Sequence, residues 1–251
     1  MKTLYIDCSM GCAGDMLTAA LLELHPDPAA FLAGMNAALG GRAVVSAAPD
    51  VKCGIRGTHV TVRIHGQQEG ASPLHTEYAH GGASSAEIMA FLDAVPLSRS
   101  IRENAKAVYA RLLDAESAVH GCAVEQVHFH EVGAVDSIVD ITAAAVCLDN
   151  LGIEDVIIPV LYEGTGSIRC AHGVLPIPVP AVVNIAAAEH LNLHITGAKG
   201  EYVTPTGAAI AAAVRTSDQL PAEFTVSKIG LGAGKREQEL PGLVRAMLIR
   251  P

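Results

Sequence analysis

The sequence of 251 residues has no tryptophan, and aromatic residues make up only 4% of it, although half of its residues are hydrophobic. Its core must therefore be built from alanine, valine, leucine and isoleucine, whose small side chains imply close packing of helices and strands. A chain of this length can bury about 70–75% of the surface that its unfolded form exposes. The composition thus predicts a globular protein with a substantial core.

Basic residues are scarce as well. The 17 lysines and arginines are outnumbered by 26 aspartates and glutamates, which leaves a net charge of −9. Such a charge repels phosphate backbones and anionic lipids, so we expect neither nucleic acid nor a membrane surface as the main partner. Cations, in contrast, are attracted.

Long apolar runs and cysteine pairs are also missing. Residues 1–6 meet Asp7 before an apolar stretch of signal-peptide length develops, and runs such as 208–214 are too short to span a bilayer. The six cysteines lack the C-x-x-C spacing of zinc and thioredoxin motifs. We therefore expect a cytoplasmic protein without a transmembrane segment, whose cysteines are reduced thiols.

Local signals mark several helices and strands. Ser84 or Ser85, with Glu87, is typical of a capping box at a helix start, and Gly40 is typical of a helix end. Residues 164–166, Gly-Thr-Gly, predict a tight turn between two extended pieces. Helical and β-type patterns together predict an α+β (mixed α/β) fold with mixed sheets and packed helices.

The predicted elements fall into two regions. Residues 1–66 form an N-terminal α/β lobe, residues 67–83 a polar loop, and residues 84–251 a His-rich α/β region. The polar composition of the loop makes it the expected internal boundary. The His-rich region either forms a second lobe or packs with residues 1–66 as one domain.

The segment 128–140 combines two imidazoles with three carboxylates in one predicted strand-to-helix passage. On a strand, the two-residue period puts both imidazoles on one face, and on a helix two carboxylates four residues apart share a side. Nitrogen and oxygen donors without a cysteine pair suit a first-row transition ion better than a closed structural zinc. The alternative is a solvated strand end whose acids favour the helix dipole. The candidate metal ligands are His128, His130, Glu131, Asp136 and Asp140.

Two predicted helix starts offer backbone amides to a phosphate. In the first, Gly11 and Gly14 lie in a loop flanked by Asp7 and Asp15, which predict a metal bridge or a general base, or merely a cap in the case of Asp15. In the second, the alternative to phosphate binding is capping by a threonine. Its residues are Thr204, Thr206 and Gly207.

Cys170 and His172 lie two residues apart, so an extended chain puts both on one face. They are candidates for a metal pair or for a Cys/His acid–base couple. No third member of a catalytic triad can be identified from the sequence.

Five segments in fixed order resemble the LarC family, the nickel-insertion proteins of nickel-pincer nucleotide cofactor synthesis. Five motifs together are far more specific than any single one. The resemblance extends from about residue 3 to residue 250. The segments comprise residues 5–16, 128–140, 166–173, 204–210 and 230–234.

The resemblance implies a CTP-dependent nickel chelatase or cyclometallase of the lyase class. Such an enzyme inserts Ni²⁺ into pyridinium-3,5-bisthiocarboxylic acid mononucleotide, with formation of nickel–carbon and nickel–sulfur bonds, for lactate racemase and related enzymes. The family also has a C-terminal domain implicated in binding CTP with Mg²⁺ or Mn²⁺, whereas this chain ends at Pro251. We therefore expect an N-terminal part that acts with a C-terminal LarC partner and forms a homo-oligomer.

On this hypothesis the candidate metal ligands hold Ni²⁺ with open positions for the sulfur atoms of the substrate. Forming a metal–carbon bond removes a ring proton, so a base is required, and the sequence does not rank His172, Glu131 and Asp15 for this role. The substrate phosphate would lie at residues 11–14 or 206–207. Three alternatives stay open: a metal-dependent phosphohydrolase, a non-catalytic nickel carrier, and a structural subunit.

Overall fold

The computed structural model describes residues 2–64, 67–68, 83–129, 135–170 and 173–250. Its helices are α1 (Gly14–Leu24), α2 (Pro28–Leu39), α3 (Ser85–Ala94), α4 (Arg99–His120), α5 (Val135–Leu151), α6 (Pro180–Ala188) and α7 (Pro205–Val214). Its strands are β1 (Thr3–Asp7), β2 (Ala43–Lys52), β3 (Ile55–Ile64), β4 (Gln67–Gln68), β5 (Ala83–Ser84), β6 (His128–Phe129), β7 (Asp155–Ile157), β8 (Leu161–Cys170), β9 (Gly173–Ile177), β10 (Leu193–Lys199), β11 (Thr225–Ala233) and β12 (Leu243–Arg250). The predicted α+β class is confirmed.

The larger sheet is mixed and has the strand order β2-β3-β11-β12-β1-β7, with β4 paired to β3. β1 lies antiparallel to β12 and parallel to β7. β3 meets β11 in a parallel bridge between Thr58 and Gly232. Strands from residues 1–66 and strands from residues 84–251 therefore share one sheet.

Helix α1 packs closely on this sheet because β11 has glycines beneath it. A Cβ atom on Gly232 would lie 1.8 Å from the carbonyl oxygen of Met16, and one on Gly230 would lie 2.1 Å from that of Ala20. Real Cβ atoms do not approach other atoms so closely, so only glycine fits at these positions. These two glycines of β11 thus let the backbone of α1 lie directly against the strand, and this contact fixes the N-terminus of α1 over the sheet.

A second sheet has the order β10-β8-β9. Strand β8 continues through residues 164–166, so the tight turn predicted there is wrong. The reason for the glycine at the start of this stretch is again close packing, because a Cβ on Gly164 would lie 2.1 Å from the carbonyl oxygen of Gly200. Gly164 therefore lets β8 pack against the segment that leads into α7.

The signals predicted for two helix ends are confirmed. Ser84 and Glu87 form the predicted capping box at the start of α3, and Gly40 ends α2 in a left-handed conformation with φ of 58°. Each of these features depends only on neighbours within a turn of helix.

All six cysteines belong to the described residues, and each is a free thiol. Cys8 and Cys12 are buried beside each other, and the hydrogen bond with Cys12, together with burial, raises the pKa of the Cys8 thiol well above its usual value. The Cys8 thiol therefore stays neutral, and both side chains fill the core. None of the described helices combines the length and apolar character needed to cross a membrane.

Candidate functional site

A cavity of about 590 Å³ lies where the N-termini of α1 and α7 meet α4, α5, β3 and the end of β8. This volume falls within the range of small-molecule sites. The loop between β11 and β12, residues 234–242, forms a further part of its wall. Segments that are distant in sequence thus line one cavity.

Several of the predicted site residues line this cavity. They come from the two predicted helix starts, from helix α5 and from the end of β8. They are Gly14, Asp15, Asp140, Cys170, Thr204 and Thr206.

Asp140 lies on α5, directly opposite the first residue of α1. A Cβ on Gly14 would be 3.0 Å from both the Oδ2 atom of Asp140 and the methyl group of Thr206. Thr18 donates a hydrogen bond to the Asp140 carbonyl oxygen at 3.1 Å and so ties α1 to α5. The glycine therefore leaves room for a carboxylate at the mouth of α1, a position that the helix dipole favours.

Asp15, in the first turn of α1, is a carboxyl group whose pKa is subject to opposing influences. Burial raises its pKa above the usual value, whereas the charges of Lys235 and His59 and the amides of Met16 and Lys235 oppose that rise. The Met16 amide donates to Oδ1 at 2.9 Å. Asp15 thus connects the start of α1 to the loop 234–242 and lies near Lys235 and His59.

Three predicted residues have other contacts and are not among the described residues that line the cavity. Asp7 accepts a hydrogen bond from the Ser9 amide at 2.9 Å and forms an ion pair with Arg245. A Cβ on Gly11 would lie 2.6 Å from the carbonyl oxygen of Tyr202, and one on Gly207 would lie 2.1 Å from that of Cys12. Backbone packing accounts for both glycines, and their part in phosphate binding stays a prediction.

Thr204 caps α7, because its hydroxyl accepts a hydrogen bond from the Gly207 amide at 3.1 Å. Capping was the alternative to phosphate binding at this position, and the geometry provides it. Thr206 is buried, with its hydroxyl 3.4 Å from that of Ser137 on α5. The start of α7 is therefore anchored to α5 at the cavity wall.

Most of the predicted metal ligands fall outside the described part of the structure. These are the side chains of His128 and Asp136 and the whole of His130 and Glu131; the candidate base His172 also lies outside it. Within the described residues, no group of three or more His, Cys, Asp or Glu side chains could hold a metal ion by itself. Asp140 is thus the one candidate ligand whose side-chain position is known.

The cavity wall also contains polar residues that the sequence did not reveal. Helix α4 contributes Glu116 and His120, which face each other one turn apart at 3.5 Å. Strand β3 contributes His59, whose Nδ1 atom lies 2.9 Å from the carbonyl oxygen of Ala233. The i,i+4 spacing was the available signal for the first pair, whereas His59 is an ordinary member of an alternating strand.

The loop 234–242 brings cationic side chains to the cavity and is held there by residues that precede α7. Arg236 pairs with the buried carboxylate of Glu201 at 2.5 Å, and Gln238 donates to the Glu201 carbonyl oxygen at 3.0 Å. The amide of Leu240 donates to the Tyr202 hydroxyl at 2.9 Å. These contacts keep Lys235 and Arg236 on the wall.

Glu163, on β8, supports this arrangement from below. Its side chain is fully buried, and its Oε1 atom accepts hydrogen bonds from the amides of Gly164, Tyr202 and Val203 at 2.7, 2.7 and 3.2 Å. Three amides on one oxygen fix the path of the chain into α7. Glu163 therefore acts as an internal anchor for the segment that holds the loop 234–242.

The fold is of the α+β class, and its cavity has the size of a small-molecule site, with carboxylates, imidazoles, a lysine and arginines on its wall. The sequence matches the family model for nickel insertion proteins over residues 4–250. The chain belongs to that family.

Curated relatives support the same grouping. The chain is 43% identical over 255 residues to the pyridinium-3,5-bisthiocarboxylic acid mononucleotide nickel insertion protein of Alkaliphilus metalliredigens, with 98% of this chain and 60% of that protein covered. It is 36% identical to the protein of the same name from Akkermansia muciniphila, with 99% and 60% covered. A putative nickel insertion protein of Geotalea daltonii is 39% identical, with 99% and 61% covered.

The chain thus spans about 60% of the length of these relatives. No solved structure matches it.

Proposed function

We propose that this chain carries the nickel-insertion site of a cyclometallase whose substrate is pyridinium-3,5-bisthiocarboxylic acid mononucleotide. The observation that carries the proposal is the cavity, because Gly14 and Asp15, Asp140, Cys170, and Thr204 and Thr206 all line it. These residues belong to four of the five segments that resemble the family. The names of the relatives supply the substrate.

In this proposal Ni²⁺ is a substrate that is held and then released into the organic product. Asp140 would be one of its ligands, with His128, His130, Glu131 and Asp136 as the others, and the sulfur atoms of the organic substrate would complete the coordination. Lys235, on the cavity wall, is suited to an anionic group of the mononucleotide. The start of α7 at Thr206 is suited to its phosphate.

We further propose that CTP, with Mg²⁺ or Mn²⁺, is bound by a C-terminal partner and that the active form is a homo-oligomer. The coverage of the relatives fits this, since about 40% of their length has no counterpart in the chain. CTP would then be required for turnover and not for nickel binding by this chain.

The decisive experiment combines the chain with Ni²⁺, the thiolated pyridinium mononucleotide and CTP, with and without a separately produced C-terminal part, and measures nickel in the organic product by mass spectrometry. We expect nickelated product in the complete mixture. Nickel bound by the protein but never transferred would indicate a carrier. Hydrolysis of a generic phosphate ester without transfer would indicate a phosphohydrolase.

Nickel binding by this chain tests the metal site separately. Replacing Asp140 with asparagine keeps the shape of the side chain but removes its charge, so we expect nickel affinity to fall by at least about tenfold in calorimetry. The double change His128→Ala and His130→Ala should have a larger effect. Asp149, exposed near the end of the same helix, provides the matched control Asp149→Asn, which should bind nickel like the unchanged protein. Equal affinities in all variants would remove these residues from the site.

A further inference from the structure

His59 has a fixed orientation at the cavity wall. Its Nδ1 atom lies 2.9 Å from the carbonyl oxygen of Ala233, and a carbonyl can only accept a hydrogen bond. Nδ1 therefore carries the hydrogen, and in the neutral ring Nε2 holds the lone pair. Within the described part of the chain, Nε2 has no hydrogen-bond partner. The ring thus has a basic nitrogen that none of the described residues engages.

The neighbours of His59 distinguish a base from a metal ligand. Asp15 on α1 lies near enough to His59 and to Lys235, in the loop 234–242, for the charges of both to act on it. The ammonium group of Lys235 disfavours direct coordination of a divalent cation by the Asp15 carboxyl group and its neighbour His59. A protonated His59 would instead be balanced by the Asp15 carboxyl group, which the amide of Met16 holds in place.

The second imidazole and the other carboxylates on the described wall have partners or another proposed role. Glu116 and His120 face each other on α4, and Glu201 is paired with Arg236. Asp140 on α5 is a proposed nickel ligand. His59 is therefore the described imidazole on this cavity whose second nitrogen is available for proton transfer.

We propose that His59 is the general base of nickel insertion, and that Asp15 is a positioning residue for the imidazolium that forms. The inference rests on the proposed function. In the step concerned, the C–H bond of the pyridinium ring breaks, its electron pair becomes the nickel–carbon bond, and the proton passes to Nε2 of His59. Nickel enters and leaves as Ni²⁺, so no oxidant or reductant is needed.

Two substitutions distinguish a role of His59 as a base from a purely structural role. In His59→Asn, the side-chain amide can replace Nδ1 as donor to the Ala233 carbonyl oxygen, but no basic nitrogen remains. In His59→Ala, space is left for free imidazole. For both variants, made in the full chain and assayed with its C-terminal partner, we expect nickel and substrate affinities within about twofold of the unchanged protein and a 10²–10⁴-fold slower formation of nickelated product.

Free imidazole should raise the rate of His59→Ala at least tenfold. Because imidazole also binds Ni²⁺, its effect on the rate of the unchanged protein is measured and used as a correction. The matched control is His194→Gln. His194 is exposed and its ring lies tilted against that of Tyr162 in the second sheet, so this variant should react at the normal rate.

Three results obtained with the variants would overturn the assignment. His59→Asn reacting at the normal rate would show that the base is elsewhere, and loss of one bound nickel in that variant would make His59 a ligand. A slow His59→Ala reaction that imidazole leaves unchanged would reduce His59 to a structural role. If the unchanged protein with its partner forms no nickelated product at all, the proposed function fails, and the assignment of the base fails with it.

Discussion

The change Gly232→Ala is expected to lower the free energy of unfolding by more than about 3 kcal/mol or to prevent folding altogether. The added methyl group would lie 1.8 Å from the Met16 carbonyl oxygen and 2.7 Å from the Ala20 amide nitrogen, both in the backbone of α1. A backbone in the middle of a helix cannot move aside as the tip of a side chain can. Chemical denaturation followed by circular dichroism measures the effect.

Gly34 offers a matched control with the opposite sign. It lies exposed in the middle of α2, and a Cβ there would meet nothing within 4 Å. Gly34→Ala should therefore raise the free energy of unfolding by about 0.5–1 kcal/mol, because alanine loses less conformational freedom than glycine on entering a helix. If both variants shift stability in the same direction, the close packing of α1 on β11 is not what requires the glycine.

Glu163→Ala is expected to cost more than about 3 kcal/mol of folding stability, because three buried backbone amides would lose their shared acceptor. Glu163→Gln should cost much less, since its amide oxygen can still accept from all three. Exposed Glu154 supplies a control, and Glu154→Ala should stay within about 0.5 kcal/mol of the unchanged protein. An alanine variant at position 163 as stable as this control would contradict the anchoring role.

The stability should also depend on pH through Glu163. Burial raises its folded-state pKa above the ordinary value of 4.5, because the loss of hydration outweighs the hydrogen bonds from the three amides, which lower the pKa. Below pH 4.5 both folded and unfolded states hold the proton, and the contribution to stability is complete. As the pH rises above 4.5, the unfolded state loses its proton before the folded state does. The free energy of unfolding therefore falls until the pH has passed the folded-state pKa.

The glutamine variant has no such proton. The difference in unfolding free energy between the unchanged protein and Glu163→Gln should therefore become less favourable to the unchanged protein as the pH increases from 4.5. A difference that stays constant with pH would mean that burial does not perturb this carboxyl group. Taking the difference removes the contributions of the other carboxyl groups, which both proteins share.

The features that the sequence predicted well are local ones. The capping box of Ser84 and Glu87 and the left-handed end of α2 at Gly40 depend on residues within one turn, and the α+β class follows from helical and β-type periodicities. Glycines were harder to interpret, because the same residue serves a turn or a close backbone approach. Gly164 belongs to the second kind, and its partner Gly200 could not be identified before β8 and β10 were seen side by side.

The candidate site was predicted in part for the same reason. Asp140 and Asp15 were found because they occur next to other acids, glycines or histidines in the sequence. His59 has no such neighbours in the sequence, because the groups near it, above all Asp15, come from other elements.

Strand β10 was not predicted, because Leu193–Lys199 includes a glycine and lacks a regular alternation of buried and exposed residues.

Strand β12 has a consequence for any polypeptide joined to this one. It begins at Leu243, beside Gly242 on the cavity wall, and ends at Arg250, next to the start of β1. Seven residue steps along a strand amount to about 23 Å. A module fused after Arg250 would thus emerge far from the cavity, on the same border at which β1 begins. To act on a ligand in the cavity, it must fold back across the sheet or serve the cavity of a neighbouring copy.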